Sequence, residues 1–237
     1  MPALVTLLSV ADTALDLLHF ERPLLARGEV VVGIDEVGRG ALAGPLTVGA
    51  VVLASEVAAP AGLNDSKLLT PARREALVEP LESWATDWSL GSVTSGEIDD
   101  WGLRLALAVA ATRALDGLRI RPTHALIDGS FNLLRAPLDV GFGVETPPRL
   151  RYSNMACTTI VKGDRSSATI AAAAVLAKVD RDRFMVEISA RFSEYCWAAN
   201  KGYGAPEHLE ALRRRGPTSF HRKSWHLPVY VEPPEPA

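Results

Sequence analysis

Residues 30–40 read Val-Val-Val-Gly-Ile-Asp-Glu-Val-Gly-Arg-Gly, which is the most informative run in the sequence. Its first half, Val30–Ile34, predicts a buried strand because β-branched residues fit the pleated sheet well. Asp35 and Glu36 follow this run directly. Two carboxylates beside an apolar strand repel each other and resist losing water, so they need a proton or a cation to be tolerated. The pattern therefore predicts a divalent metal ion at this end of the strand.

Composition narrows the class of protein. The chain has 237 residues, of which 48% are hydrophobic and 22% charged, as expected for one soluble domain with at most a small appendage. The formal net charge of −3 gives no global sign of nucleic-acid binding, so any such function must use local basic patches. The two cysteines, Cys157 and Cys196, form no Cys-x-x-Cys pair, which argues against a zinc knuckle and a disulfide framework.

The N-terminal residues do not have the pattern of an export signal. Residues 1–10 are apolar but lack a basic start, and Asp12 and Asp16 follow closely. No apolar run approaches the roughly 18–20 residues that a membrane helix needs. We expect a cytoplasmic protein that does not bind membranes.

Periodicity and turn residues predict an α/β fold with five strands. The predicted strands are 30–34, 46–53, 88–93, 124–127 and 158–161, and the predicted helices are 11–27, one from Pro71, 95–116, 166–193 and 206–215. Because the first two strands adjoin and the others are separated by helices, we expect a mixed sheet. Residues 131–152 are irregular and Pro-rich, which predicts a flexible insertion, and the Pro-rich tail at 233–237 is expected to be disordered.

Acidic residues follow three of these strands. They are Asp35 with Glu36, Asp128, and Asp164. Functional groups gather at strand ends in open α/β sheets, so the four carboxylates could meet. An all-oxygen site suits Mg²⁺ or Mn²⁺, and two such ions about 3.5–4 Å apart could support in-line phosphoryl displacement. The alternative is that a strand-end Asp-Gly such as Asp128-Gly129 is only a turn, an explanation that suits the adjacent pair less well.

Several longer motifs occur in a fixed order along the chain. They are Asp-Glu-Val-Gly-Arg-Gly at 35–40, Ala-Gly-Pro at 43–45, Leu-Asn-Asp-Ser-Lys at 63–67, Leu-Ile-Asp-Gly at 126–129, Lys-Gly-Asp at 162–164, Leu-Ala-Lys-Val-Asp-Arg-Asp-Arg at 176–183, Asn-Lys-Gly-Tyr-Gly at 200–204, and His208. With these motifs the sequence resembles ribonuclease HII, the type 2 ribonuclease H family, over roughly residues 13–226. The resemblance implies a ribonuclease H-like mixed five-stranded sheet flanked by helices, with a helical C-terminal portion.

The resemblance also implies an activity and its metal ligands. It implies an endonuclease that hydrolyses the RNA strand of RNA–DNA hybrids, including single ribonucleotides embedded in duplex DNA, and leaves 3′-hydroxyl and 5′-phosphate ends. A two-metal site holding Mn²⁺ or Mg²⁺ is expected, with Asp35, Glu36, Asp128 and Asp164 as catalytic residues and metal ligands. Asp180 and Asp182 lie near basic residues on a helix and are interpreted as salt-bridge partners.

Substrate contacts follow from the same resemblance. Gly38, Arg39 and Gly40 are expected to contact the backbone beside the ribonucleotide, and Tyr203 to pack against its sugar, since the 2′-hydroxyl separates RNA from DNA. The alternatives are a surface salt bridge for Arg39 and simple packing for Tyr203. The basic residues expected along the duplex backbone are Lys67 and Lys178, within family motifs, and then Lys162, Lys201, Arg213–Arg215, Arg222 and Lys223. The run 213–215 could instead be a solvated helix face, and His208 and His221 are interpreted as structural.

The expected organisation is a helical N-terminal extension at 1–27, a catalytic domain at 28–195, a helical substrate-binding portion at 196–226 and a disordered tail at 227–237. The expected partners are RNA–DNA hybrid duplexes and DNA containing ribonucleotides, bound by a monomer. Two alternatives stay open, a ribonuclease HIII-like nuclease and a non-catalytic hybrid-binding protein. A nucleotide-binding loop is disfavoured because Gly38, Gly40 and Gly44 do not fit G-x-G-x-x-G and no Walker lysine follows.

Overall fold

A single sheet of five strands organises the computed structural model, which describes residues 17–135 and 150–228. The strands are β1 (Val31–Val37), β2 (Leu46–Leu53), β3 (Asp87–Val93), β4 (His124–Asp128) and β5 (Ala156–Ile160). The helices in these residues are α1 (Glu21–Leu25), α2 (Pro71–Trp84), α3 (Ser95–Asp116), α4 (Ala168–Ser189), α5 (Trp197–Asn200) and α6 (Pro206–Arg215). Short 3-10 turns cover Gly163–Arg165 and Ser193–Tyr195.

The sheet is mixed, as predicted. Its strand order is β3-β2-β1-β4-β5. β1 pairs antiparallel with β2, and β2 with β3, whereas β1 pairs parallel with β4, and β4 with β5. A short connection suffices between antiparallel neighbours, but a parallel pair needs a long crossover, here the chain that carries α2 and α3. β1 therefore lies at the centre of the sheet, where its acidic end has a strand on either side.

Helices cover both faces of the sheet. The face that packs on α3 forms one hydrophobic cluster, and the face that packs on α4 and α2 forms another. The alanines of α4 let its backbone come close to β1 and β2. A Cβ on Gly33 would lie 2.2 Å from the carbonyl carbon of Thr169, and one on Gly49 would lie 2.4 Å from the Ala173 oxygen. This close packing holds α4 directly against the strand that carries the acids.

The C-terminal portion forms a third cluster against the end of α4. The buried residues of this cluster are Ala43, Met185, Ile188, Tyr195, Trp197, Ala211 and Leu212. An antiparallel bridge between Ala43 and His221 joins it to the connection between β1 and β2. Residues from three distant parts of the sequence thus meet beneath that connection, which carries the glycine-rich turn.

Some element boundaries differ from those predicted. β1 continues to Val37, so the adjacent acids lie within the strand and not after it. β5 ends at Ile160, which places Asp164 on the 3-10 turn instead of at a strand end. The helix predicted at 166–193 spans Ala168–Ser189, because the Ser167 side chain caps its N-terminus by accepting from the amide of Ile170.

The N-terminal helix predicted at 11–27 is limited, within the residues described, to Glu21–Leu25. Helix α3 has the predicted bounds but is broken at Gly102, whose φ is 72°. Predictions for 1–16, for 136–149 within the insertion and for 229–237 in the tail fall outside the described residues. No helix in residues 17–135 or 150–228 combines the length and apolar character needed to cross a membrane.

Candidate active site

Strand pairing brings the first acids together. The parallel ladder between β1 and β4 ends at the pair Ile34–Ile127. Asp35 and Asp128 are the next residue on each strand, so they lie side by side where the two strands stop pairing. Asp35 is buried and Asp128 is half-buried. The sequence predicted both acids at a sheet end, and the register explains how they come to be neighbours.

These acids line a cleft of about 350 Å³. The cleft is lined by Asp35, Glu36, Val37, Gly38, Arg39, Gly40, Ser66, Lys67, Arg74, Asp128, Ala174, Lys178 and Tyr203. We call this the acidic cleft. Asp164 does not line it but adjoins it, because its Oδ2 lies 3.2 Å from the Nζ of Lys67, which does. All ten predicted site residues are therefore in the cleft or one contact away from it.

Crowding makes the carboxylates difficult to ionise. Burial raises the pKa of Asp35 well above its usual range, and the charges of Glu36 and Asp128 raise it further. Burial also raises the pKa of Glu36, although Arg39 opposes the effect. The pKa of Asp164 is raised by burial too, against the favourable charge of Lys67. The site therefore holds more negative charge than its own basic residues neutralise, which favours a bound cation.

Each acid already accepts a hydrogen bond from the protein. Asp35 Oδ1 accepts from the amide of Glu36 at 2.7 Å, and Glu36 Oε1 accepts from Arg39 at 3.4 Å. Asp128 Oδ1 accepts from the amide of Gly163 at 2.7 Å. Lys67 donates to Asp164. These bonds fix the orientations of the carboxylates without using all of their oxygen atoms.

The donor set suits a hard divalent cation, but its geometry is open. Carboxylate oxygens are the ligands that Mg²⁺ and Mn²⁺ prefer. Even so, no group of three or more Asp, Glu, His or Cys side chains in residues 17–135 and 150–228 is arranged to hold a metal ion as it stands. The indication of a cation here is the cleft that Asp35, Glu36 and Asp128 share, together with the raised pKa values of Asp35, Glu36 and Asp164. Rotation of these side chains would be required on binding.

The predicted substrate residues lie around the same cleft. Arg39 and Gly40 are exposed at the tip of the turn, while Gly38 is buried at its base. Lys178 donates to Asp182 at 2.7 Å, and its Nζ lies 5.9 Å from the centre of the Tyr203 ring. Tyr203 and the turn thus border the acids from the side of the C-terminal portion.

Other basic residues divide between the surface and the interior. Lys162, Lys223 and the run Arg213–Arg215 are exposed, whereas Lys201 is half-buried. The prediction that Arg222 contacts the duplex backbone is wrong, because Arg222 is fully buried. Its side chain lies behind the turn instead, where it binds backbone carbonyl groups.

The interpretations of the two histidines and of the acids on α4 can also be compared with the structure. His208 and His221 are buried and bonded to each other, in agreement with a structural role. Asp182 has the predicted basic partner, Lys178. Asp180 is exposed and forms no salt bridge within the described residues, although the charge of Arg183 acts on it and opposes the rise in its pKa that burial causes.

Within the motif at 63–67, a role was predicted from the sequence only for Lys67. Asp65 is buried and accepts from the amide of Lys67 at 2.8 Å and from Arg165 at 3.0 Å. Arg74 donates to the carbonyls of Ser66 and Leu69, both at 2.7 Å. These contacts hold the loop that presents Lys67. The motif indicates that these residues are important, but nothing in its sequence shows which of its side chains face the interior.

Comparison with known proteins identifies the family. The family model described as Ribonuclease HII matches residues 32–227. The chain is 43% identical to ribonuclease HII of Streptomyces avermitilis over 207 residues, covering 86% of this chain and 81% of that protein. It is 42% identical to ribonuclease HII of Geobacillus thermodenitrificans over 211 residues, covering 89% and 74%.

Solved structures share the fold. Ribonuclease H2 from Pyrococcus horikoshii OT3 aligns with a TM-score of 0.63 at 26% identity, over 84% of this chain and 95% of that one. Bst-RNase HIII in complex with Mn²⁺ aligns with a TM-score of 0.61 at 17% identity, over 86% and 70%, which shows a common fold only. The family model and the similar sequences decide between the two nucleases. The chain belongs to the ribonuclease HII family, which consists of endoribonucleases acting on RNA–DNA hybrids.

Proposed function

We propose that this endoribonuclease cuts at single ribonucleotides embedded in duplex DNA as well as in longer RNA–DNA hybrids. The observation that carries the proposal is the position of the turn Gly38-Arg39-Gly40, which lines the same cleft as Asp35 and Asp128. The turn that contacts the sugar of one ribonucleotide, and the acids at which the adjacent bond is cut, would then lie within one nucleotide of each other. Long runs of RNA would not be required.

Asp35, Glu36, Asp128 and Asp164 would hold Mg²⁺ or Mn²⁺ as a two-metal site. The shared cleft of Asp35, Glu36 and Asp128, and the raised pKa values of Asp35, Glu36 and Asp164, support this assignment. Bound divalent ions would supply an activated water and stabilise the leaving 3′ oxygen, which yields 3′-hydroxyl and 5′-phosphate ends. The protein's own part is to orient the carboxylates of Asp35 and Asp128, through the amides of Glu36 and Gly163.

Recognition would use the turn and the tyrosine. Exposed amides of the glycine-rich turn can approach the sugar–phosphate backbone closely, and Arg39 adds a positive charge that can pair with phosphate. Tyr203 borders the cleft and can pack against the sugar at the RNA–DNA junction. Lys67 and Lys178 line the cleft and would bind flanking phosphates.

The C-terminal portion at 196–226 would serve substrate binding, since it supplies Tyr203 to the cleft. The residues expected along the duplex beyond the cleft are the exposed ones, Lys162, Lys223 and Arg213–Arg215. Action as a monomer and a cytoplasmic location remain predictions from the sequence, as does the division into a catalytic domain at 28–195 with an N-terminal extension.

The test is to map the cut in a duplex that contains one ribonucleotide. We expect one cut beside that ribonucleotide, dependent on Mg²⁺ or Mn²⁺, with a 3′-hydroxyl end. Asp128→Asn should bind the duplex but not cut it, while an all-DNA duplex remains intact with either protein. Cleavage only in long RNA runs would overturn the single-ribonucleotide proposal. Binding without any cleavage by the unaltered protein would point to a hybrid-binding protein instead.

A further inference from the structure

Arg222 lies behind the glycine-rich turn with its charge fully buried. Its Nη2 donates to the carbonyl of Gly38 at 2.5 Å, and its Nη1 donates to the carbonyl of Arg39 at 2.7 Å. The same Nη2 lies 3.4 Å from the carbonyl of Gly44. No carboxylate in residues 17–135 or 150–228 forms a salt bridge with Arg222. Its charge is compensated by these carbonyls and by the ring of Trp225, whose centre lies 4.8 Å from the guanidinium carbon.

A guanidinium in such a place carries an energetic penalty. Its Nε is buried without any hydrogen-bond partner among the described residues. Burial, together with the charge of Arg181, lowers the pKa of Arg222 to about 10, but the group stays protonated at neutral pH. An apolar side chain of similar size would avoid this penalty. The arrangement therefore indicates a function other than stability alone.

The carbonyls that Arg222 holds belong to peptides whose amides face the opposite way. In a planar trans peptide the C=O and the N–H point in opposite directions. Fixing the carbonyl of Gly38 therefore directs the amide of Arg39 away from Arg222, and fixing the carbonyl of Arg39 does the same for the amide of Gly40. Neither of these two amides has a hydrogen-bond acceptor within the described parts of the chain. Both residues line the acidic cleft.

A second buried arginine holds the rest of this connection. Arg181 on α4 donates to the carbonyls of Pro45 at 2.7 Å, Ala43 at 3.1 Å and Lys201 at 2.9 Å. Its guanidinium lies 5.4 Å from the centre of the Tyr203 ring. Arg181 thus joins the connection to the loop that carries Tyr203. Of the two arginines only Arg222 contacts the carbonyls of Gly38 and Arg39, and the Gly38 carbonyl also accepts from the amide of Ala41 at 3.2 Å.

We propose that Arg222 is a positioning residue, which holds the amides of Arg39 and Gly40 aimed into the acidic cleft as donors for the ribonucleotide. It touches no substrate itself and acts only through the two peptide groups. The inference rests on the proposed function, because it gives the turn its donors. It also assigns the C-terminal portion a second role. Besides supplying Tyr203, this portion would hold the turn Gly38-Arg39-Gly40 in the conformation that binds the substrate.

The test compares Arg222→Lys and Arg222→Met with a control, Leu212→Ala. Leu212 is fully buried in the same C-terminal portion and does not line the cleft, so its truncation reports loss of stability alone. Each variant is assayed for kcat and KM on the one-ribonucleotide duplex, at a temperature equally far below its own Tm. The amide signal of Gly40 and its hydrogen-exchange rate are recorded by NMR on protein labelled with ¹⁵N-glycine.

We expect Arg222→Met to lower kcat/KM by about 100-fold, the loss typical of a reacting group displaced by about 1 Å, with the loss mainly in kcat. Its Gly40 amide signal should move or broaden. Arg222→Lys should recover part of both, because an ammonium group can still bind one carbonyl, and Leu212→Ala should change neither after the temperature correction.

Two results would overturn the inference. The first is an unchanged Gly40 amide in a folded Arg222→Met, whatever the activity. The second is a failure of both Arg222 variants to fold, which would make Arg222 a residue of the core only. Failure of the proposed function is distinct, because the unaltered protein itself would then leave the one-ribonucleotide duplex uncut while the NMR comparison still decides the role of Arg222.

Discussion

The acidic cleft and the two buried arginines lie on opposite sides of the same connection, and they compensate their charges in different ways. Arg181 and Arg222 are fully buried, yet their guanidinium groups bind six carbonyl contacts between them. Asp35 and Glu36 border an open cleft, yet burial and mutual repulsion hold their pKa values above the usual range. The charges of the two arginines are thus largely matched by groups of the protein, and those of the cleft carboxylates are not.

The difference shows which charges would be stabilised by a ligand from solution. Backbone carbonyls are permanent features of the fold, so the arginines can hold the chain in place, although Nε of Arg222 has no hydrogen-bond partner among the described residues. The carboxylates have too few donors, so a cation from solution would improve their energy. A group of like charges that the protein leaves unbalanced at a cleft is a physical reason to expect a ligand there.

The largest expected effect is the loss of catalysis when one acid of the cleft is neutralised. Asp35→Asn and Asp128→Asn should each lower kcat by at least about a thousandfold, because each would remove a carboxylate that we propose as a metal ligand. Asp35→Asn should leave Tm unchanged or raise it. An acid whose pKa is raised by folding is destabilising above its ordinary pKa, and asparagine removes that charge.

The control is Asp180→Asn, which makes the same substitution at an exposed acid of α4 that does not line the cleft. It should retain activity. Steady-state cleavage and thermal unfolding monitored by circular dichroism measure both quantities. Normal activity in Asp35→Asn, or a large fall in its Tm, would contradict the contrast between the two regions.

The next prediction compares the two sides of the turn by substituting one glycine on each side, Gly38 and Gly40. A Cβ on Gly38 would lie 2.2 Å from Nε of Arg181, and its φ of 83° disfavours any other residue. Gly38→Ala should therefore lower the free energy of unfolding by about 3 kcal/mol. A Cβ on Gly40 would meet no atom within 4 Å, so Gly40→Ala should keep its stability.

Gly40→Ala should instead reduce cleavage, since its methyl group would project where the substrate backbone comes close. Urea denaturation and cleavage of the one-ribonucleotide duplex, measured on both variants, separate the effects. Equal losses of stability in the two variants would show that the arginine side of the turn is no more tightly packed than the cleft side.

A third prediction concerns pH and the buried histidines beside the arginines. The Nδ1 of His221 accepts from the amide of Thr218 at 2.9 Å, so its Nε2 carries the proton and donates to Nε2 of His208 at 3.0 Å. Nε2 of His208 also accepts from the Trp197 indole, and its Nδ1 donates to the carbonyl of Tyr203. Both rings are neutral in this network, and protonation would break it.

Burial lowers the pKa of His221 to about 4, and the neighbouring His208 and Lys223 contribute. The unfolded chain, with a pKa of 6.5, therefore binds more protons between pH 6.5 and 4, so stability is full above this window and falls as the pH is lowered through it. The expected loss between pH 7 and pH 5 is about 2 kcal/mol.

Urea denaturation at a series of pH values measures this loss. The matched variant is His221→Gln, which cannot take up the proton and should show a flatter pH dependence, although it is less stable at pH 7. A slope that is identical in both proteins would assign the acid sensitivity to other groups.

The smallest effect on stability is expected at Lys67. Its side chain is 75% exposed, and although burial opposes the shift, Asp164 raises the pKa of Lys67. Exposed ion pairs contribute only about 0–1 kcal/mol, so Lys67→Met should barely change Tm. Cleavage should fall by roughly tenfold, because a cation beside the acids and the substrate phosphates is lost.

The position of Lys67 makes the salt dependence informative. Loss of one phosphate contact should reduce the dependence of the KM on salt concentration. Arg27→Met, at an exposed basic residue that neither lines the cleft nor is expected along the duplex, is the comparison. A fall in Tm of several degrees in Lys67→Met would mean that the pair with Asp164 is structural.

Much of the fold could be predicted from local patterns. β2 and α6 have the predicted bounds, and Thr70 caps α2 as expected from its position before Pro71. Errors occur where a boundary depends on other parts of the chain. β1 continues past its acids because β2 pairs with it as far as Val37, and no local pattern in residues 30–40 shows that partner.

The candidate site was predictable to a similar degree. The acids and the turn are named by their motifs, because reactive groups must be particular side chains. The supporting residues were not, since Asp65, Arg74 and Arg222 act through backbone atoms that every residue has. The sequence shows that each of these residues is charged, but not the direction in which its side chain points.

The sequence alone was enough to name the carboxylates, the segments of chain that form the strands carrying them and the family to which the motifs belong. The exposure of each charge could be seen only in the folded structure. Arg222 and Arg213 are both arginines of the C-terminal portion, yet one is fully buried behind the turn and the other is exposed. The physical reason is that burial of a charge depends on carbonyls brought from distant residues, and their positions exist only once the chain has folded.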